Sequence, residues 1–204
     1  MMRFLFCFLT FGLTTLSAAT TKTIVCLGDS LTAGYGLPNP EAQAYPALIQ
    51  DKIDAAKLPW RVVNAGISGD TTAGGLRRIN WLLRQPIDIL ILALGGNDGL
   101  RGVDPAVTQE NLIGIIERAR ARYPDIKIIL AGMQMPANLG PAYQARYREI
   151  FPTVAKSKDC ELIPFLLEGV GGDPDLNQPD MIHPTAEGQQ RIAETVWGVL
   201  RPQL

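Results

Sequence analysis

Five short apolar runs alternate with five helix-length stretches along this chain, and that alternation limits the available folds most. The runs are TIVCL (23–27), RVVNAG (61–66), IDILILALGG (87–96), IKIILAG (126–132) and CELIPFLL (160–167). Continuous apolar runs bounded by turn residues suit strands covered on both faces, as in a parallel sheet. The intervening stretches, 45–57, 72–84, 105–123, 141–156 and 184–200, carry apolar residues at helical spacing. In the last, Ile192, Val196 and Leu200 recur every fourth residue on one face. Pro152 is expected to kink or break the fourth helix, because it lacks an N–H and crowds the preceding turn. Right-handed crossovers turn this order into an α/β fold: a three-layer α/β/α sandwich around a five-stranded, parallel sheet.

The first residues read differently. Arg3 precedes FLFCFLTFGLTTL, an apolar run of about 13 residues, and Ser17-Ala18-Ala19 supplies small residues at a cleavage site. A membrane span needs roughly 20 apolar residues. Residues 1–19 are therefore expected to be a signal peptide cleaved after Ala19, and 20–204 one domain. Secretion or periplasmic residence follows, with no stable membrane anchor after cleavage. Cys7 lies inside the apolar run, away from the junction, which speaks against a lipid anchor. Cleavage removes Arg3 and no acid, taking the formal charge from -1 to -2. Lys and Arg are dispersed, so no basic stripe suggests nucleic acid as a partner. Cys26 and Cys160 sit in apolar runs and read as buried thiols in preference to a bridge. One histidine and no zinc-type spacing leave no metal site, and no cofactor is indicated.

Parallel sheets put their sites outside the carboxyl ends of the strands. The first run is followed by GDSLTAGYG (28–36), the second ends in NAGISGDT (64–71), the third in GGNDGLRG (95–102), and DMIHP (180–184) closes the long loop after the fifth. Acyl transfer needs a nucleophile, a base, an orienting acid and oxyanion donors. His183 is the one histidine, and Asp180, three residues earlier, can reach its Nδ1 hydrogen. Pro184 suits the first position of the last helix. Outside the signal segment the serines are Ser30, Ser68 and Ser157. Ser157 lies between two lysines and Ser68 on a glycine-flanked loop, whereas Ser30 directly follows a strand. Gly69, the Asn97 amide and the Ser30 N–H are the candidate oxyanion donors. Asp29 and Asp98 are read as turn supports.

These four segments, in this order, resemble the SGNH (GDSL) hydrolase family over about Thr23 to Leu200. The resemblance is nearest to its periplasmic bacterial thioesterase, lysophospholipase and arylesterase group. It implies a flavodoxin-like fold, Ser30 as nucleophile, Gly69 and Asn97 in the oxyanion hole, and Asp180 with His183 as the remaining pair. MPANLGPAYQARYREIF and LIPFLLEGV look like that group's substrate-side segments. The implied reaction is hydrolysis of carboxylic esters or thioesters of a small-molecule or lipid acyl partner; a carbohydrate O-acetyl esterase would use the same machinery. A non-catalytic phosphate-binding sandwich is the competing class, but neither a P-loop lysine nor G-x-G-x-x-G follows the first strand. The acyl chain is expected between Gly99, Leu100, Gly102 and Val103 on one side and Met133, Met135, Pro136 and Leu139 on the other. Methionines adapt to irregular apolar ligands.

Overall fold

The computed structural model describes residues 21–204; the segment read as a signal peptide lies outside the described residues. Strands β1 (Lys22–Gly28), β2 (Trp60–Gly66), β3 (Ile89–Ala93), β4 (Lys127–Ala131) and β5 (Glu161–Ile163) form one sheet in the order β2-β1-β3-β4-β5, every pair parallel. The α/β fold is the expected one. All of β3 is buried, as a strand covered on both faces must be, while β2 at the edge is only partly covered. The main helices are α3 (Tyr45–Ala55), α4 (Thr72–Leu82), α6 (Pro105–Arg122), α7 (Pro141–Ser157) and α8 (Ala186–Leu200). α3 packs with α8, and α6 packs with α4 and α7. Three shorter helices, α1 (Ser30–Ala33), α2 (Pro40–Gln43) and α5 (Gly96–Leu100), stand where loops were expected. α1 and α5 directly follow β1 and β3, neighbours in the sheet, so the chain turns helical on both sides of one crevice.

Several boundaries differ from the expectation. β5 stops at Ile163 because Pro164 cannot donate to a ladder; the chain instead returns Leu166 N–H to the Gly132 carbonyl. α7 runs through Pro152, which is exposed, so the carbonyl left without a partner can turn to water. Pro184 is not in α8: it forms an isolated bridge with Asn177, and Thr185 caps the helix by accepting the Gly188 N–H. A helix of this kind starts where a hydroxyl satisfies an orphan donor, and Pro184 has none to offer. Among the described residues Cys26 and Cys160 are free thiols, Cys26 buried as expected and Cys160 only half-buried; burial pushes that of Cys26 up to about 12.

α8 also secures the segment carrying Ser30. Gln189, buried in α8, accepts the Tyr45 N–H at 2.9 Å and donates to the Leu31 carbonyl at 3.0 Å. One amide thus satisfies two buried backbone groups of α3 and α1. Gln189→Leu keeps the volume and leaves both unpaired, at about 1–3 kcal/mol each. Urea unfolding should show a loss of about 2–6 kcal/mol; a loss under about 0.5 kcal/mol would mean that both groups find other partners.

Candidate active site

Ser30 begins α1, and Asp29 before it is the cap, its Oδ1 accepting the Leu31 N–H at 3.0 Å. The short turn holds the Ser30 side chain, almost buried, at the end of β1. Across the crevice, Asp180 accepts the N–H groups of Ile182 and His183 on Oδ1, both at 3.0 Å, and meets His183 Nδ1 with Oδ2 at 2.7 Å. These backbone donors, first that of His183, hold the Asp180 carboxyl down at about 2 although it is largely exposed. An ionised carboxylate only accepts, so Nδ1 carries the proton and Nε2 is left as an acceptor. Nε2 lies 3.0 Å from Ser30 Oγ, so the hydroxyl can donate to it. Met181, at the tip of this loop, has φ of 59°, a left-handed conformation unusual for a side chain of its size. The Tyr35 ring lies against His183, with centroids 4.6 Å apart. Gln178 fastens the two loops, its Nε2 donating to the Tyr35 and Pro184 carbonyls and its N–H to the His183 carbonyl.

The second group comes from β2 and β3. Gly69 has φ of 78°, in the left-handed region, and its carbonyl accepts from Arg101 Nη2 at 3.0 Å. Among the described residues neither the Gly69 nor the Ser30 N–H has a protein acceptor. Asn97 Nδ2 donates to the Asp70 carbonyl at 2.9 Å, which fixes the amide plane. Its other hydrogen faces Asp29 Oδ2 across 3.4 Å, a weak hold, and the side chain stands at the groove wall. Asp98 turns away and is buried, accepting the Thr72 N–H and hydroxyl, so it supports the start of α4 as a turn residue would.

A groove of about 490 Å³ runs from Ser30, His183 and Asn97 along mainly apolar walls. Of the residues named for the acyl chain, Leu100, Met133, Met135 and Pro136 lie along this groove. Gly99 and Leu139 do not: Met135 Sδ occupies the space where a Cβ on Gly99 would be, and Leu139 packs on the core. Gly102 and Val103 are also away from the groove, and the Tyr143 hydroxyl takes the Gly99 and Val103 carbonyls. The opposite wall comes from Phe165, Leu167, Gly171 and Gly172, with Met181 and Ile182 near the mouth. The continuous apolar run CELIPFLL places Phe165 and Leu167 in a strand, which ends at Ile163; the signal that points to them is the likeness of LIPFLLEGV to a substrate-side segment. Among the described residues no three His, Cys, Asp or Glu side chains are grouped to hold a metal.

Residues 26–191 match the family described as GDSL-like lipase/acylhydrolase. The chain belongs to that family. It is 43% identical to the esterase TesA of Pseudomonas aeruginosa over 187 residues, 91% of either chain. It is 40% identical to thioesterase 1/protease 1/lysophospholipase L1 of Escherichia coli K12 over 196 residues, 96% of this chain and 91% of that one. Among solved structures, the psychrotrophic esterase EstA from a Pseudoalteromonas species, inhibited by monoethylphosphonate, superimposes with a TM-score of 0.83 at 32% identity, covering 89% of this chain and 98% of that one. As a member of the GDSL-like lipase/acylhydrolase family, the protein is a hydrolase of carboxylic esters or thioesters. No helix among the described residues is long and apolar enough to cross a membrane.

Asp29 makes the site sensitive to pH. Its burial raises the carboxyl to about 6 from the ordinary 3.8, against the lowering effect of the Leu31 N–H. The folded state therefore holds this proton more tightly than the unfolded one. Stability is unaffected below the unfolded value and falls as pH rises through the folded one, by roughly 3 kcal/mol in all. Thermal unfolding should show Asp29→Asn losing less stability than the parent between pH 4 and 7. Parallel profiles for the two proteins would exclude Asp29 as the source.

Proposed function

We propose that Ser30 is the nucleophile of an acyl-transfer hydrolase, with His183 as its base and Asp180 as the group that orients it. His183 Nε2 takes the hydroxyl proton while Ser30 Oγ attacks the acyl carbonyl carbon. The tetrahedral oxyanion is held by the N–H groups of Ser30 and Gly69 and by the second hydrogen of Asn97, which gives up its long contact with Asp29 Oδ2 to do so. His183 returns the proton to the leaving alcohol or thiol, leaving an acyl-serine. Water, activated by the same imidazole, releases the carboxylic acid and restores Ser30. The observation that carries this reading is the unbroken line Asp180–His183–Ser30, at 2.7 and 3.0 Å, opening onto an apolar groove.

The groove supports an extended acyl chain as the substrate's recognised part. Met133 and Met135 offer unbranched, adaptable surface, and Phe165 with Leu167 a stiffer wall. Each methylene taken from water contributes about 0.8 kcal/mol. Small aryl esters, thioesters and single-chain lipids share that chemistry. The N-terminal apolar segment supports export before these substrates are met, in the periplasm or outside the cell, as a single catalytic unit.

Ser30→Ala and His183→Ala should each lower kcat by several orders of magnitude while the fold, followed by circular dichroism, persists. A folded and active His183→Ala protein would end the assignment. Asn97→Ala should lower kcat by about 10²–10³ with little change in KM; an effect on KM alone would move Asn97 to substrate binding. Across nitrophenyl esters from acetyl to dodecanoyl, kcat/KM should climb until the groove is full. A steady fall from acetyl onward would reject the acyl groove and favour a sugar O-acetyl esterase.

A further inference from the structure

Arg78, in α4, has a side chain only 18% exposed, yet it touches none of the groups assigned to the reaction. Its guanidinium reaches three segments at once. Nε donates to Asp70 Oδ2 at 2.7 Å, Nη1 to the Ala65 carbonyl at 2.7 Å and Nη2 to the Gly28 carbonyl at 2.9 Å. Gly28 leads into Asp29 and Ser30, Ala65 lies at the end of β2, and Asp70 directly follows Gly69. Asp70 in turn gives its backbone carbonyl to Asn97 and its Oδ1 to the Thr71 N–H. A Cβ on Gly74 would stand 1.7 Å from that Oδ1, so the start of α4 is hollowed to seat the carboxylate.

A buried ion pair is a weak source of stability, because desolvation offsets the attraction. Geometry is what this one supplies. A planar fork with donors in fixed directions can bind three acceptors in one arrangement, which an ammonium cannot. Arg101 gives the Gly69 carbonyl a second tether, but an exposed one.

We propose that Arg78 is the positioning residue of the oxyanion hole. Through Asp70 it sets the Gly69 N–H and the Asn97 amide, and through Gly28 it aligns them with Ser30. The inference rests on the roles given above to Ser30, Gly69 and Asn97. A misplacement of about 1 Å in such a site can cost about 10²-fold in rate.

The test is steady-state hydrolysis of a nitrophenyl ester by Arg78→Lys, Arg78→Met and Asp70→Asn, each alone and combined with Asn97→Ala, with thermal unfolding alongside. Arg78→Lys should lower kcat by about 10- to 100-fold, and Arg78→Met by more, while KM moves less than about threefold. In the Asn97→Ala background the loss should shrink by at least about threefold, because one of the oriented donors is gone. Equal fold-losses in both backgrounds, or undiminished kcat in the folded variants, would overturn the proposal. If Arg78→Met does not fold, Asp70→Asn keeps the side-chain shape and carries the same comparison. An active Ser30→Ala protein would instead bring down the reading beneath it. An inactive Ser30→Ala beside fully active Arg78 variants would bring down this inference alone.

Discussion

In a sheet whose strands all run the same way, every carboxyl end reaches the same edge. Here that edge carries Ser30 after β1, Gly69 after β2 and Asn97 after β3. The register Gly28↔Gly66 and Gly28↔Ala93 brings three strand ends level. Backbone groups beyond the last ladder bonds must be satisfied by other means. Arg78, Asn64 and Gln189 meet that need at Gly28, Ala65, Thr32 and Leu31. The side chains that complete the backbone bonding of the sheet edge thereby hold the turns from which the chemistry hangs.

Two carboxyl groups flank the serine, and their surroundings separate them. Asp180 is exposed, accepts backbone donors and stays ionised down to about 2. Asp29 is buried, and burial raises it to about 6. In the proposed reaction the ionised partner belongs beside the imidazole, because a fixed negative charge at Nδ1 favours the imidazolium that would form when Ser30 loses its proton. A protonatable Asp29 beneath the turn adds little charge near the developing oxyanion below its own pKa. The two acids differ in environment, not in kind, and that difference gives them separate tasks.

The walls of the groove differ in stiffness in the same way. Met133 and Met135 come from the segment after β4, and Phe165 and Leu167 from the chain that turns away at Pro164. At the mouth, Leu100, Met181 and Ile182 are exposed, and the exposed Tyr35 ring lies against His183 beside them. An apolar groove with an apolar rim is the surface that the proposed acyl-chain substrate would need.

Much of this was legible in the residues alone. Apolar runs bounded by turns specify strands because a doubly covered strand has no polar face, so the five-stranded parallel sheet could be read without coordinates, and Ser30, Asp180 and His183 could be singled out as candidates, which the fold then brings into contact. A lone histidine with an aspartate three residues before it is a local feature, and local features survive in sequence. The failures were of another kind. α1 and α5 are too short to show periodicity; CELIPFLL is apolar for two reasons at once, strand and groove wall, and composition cannot divide them; Gly99 and Leu139 share a segment with true groove residues but face elsewhere. Arg78 lies in a helix beside Arg77 and has no local mark, because its partners at Gly28 and Ala65 are backbone carbonyls, which every residue owns. The chain by itself determined which elements form and which side chains can react. Only tertiary packing decided which surfaces meet and which backbone groups need a partner, since those depend on distances between segments that the order of residues does not contain.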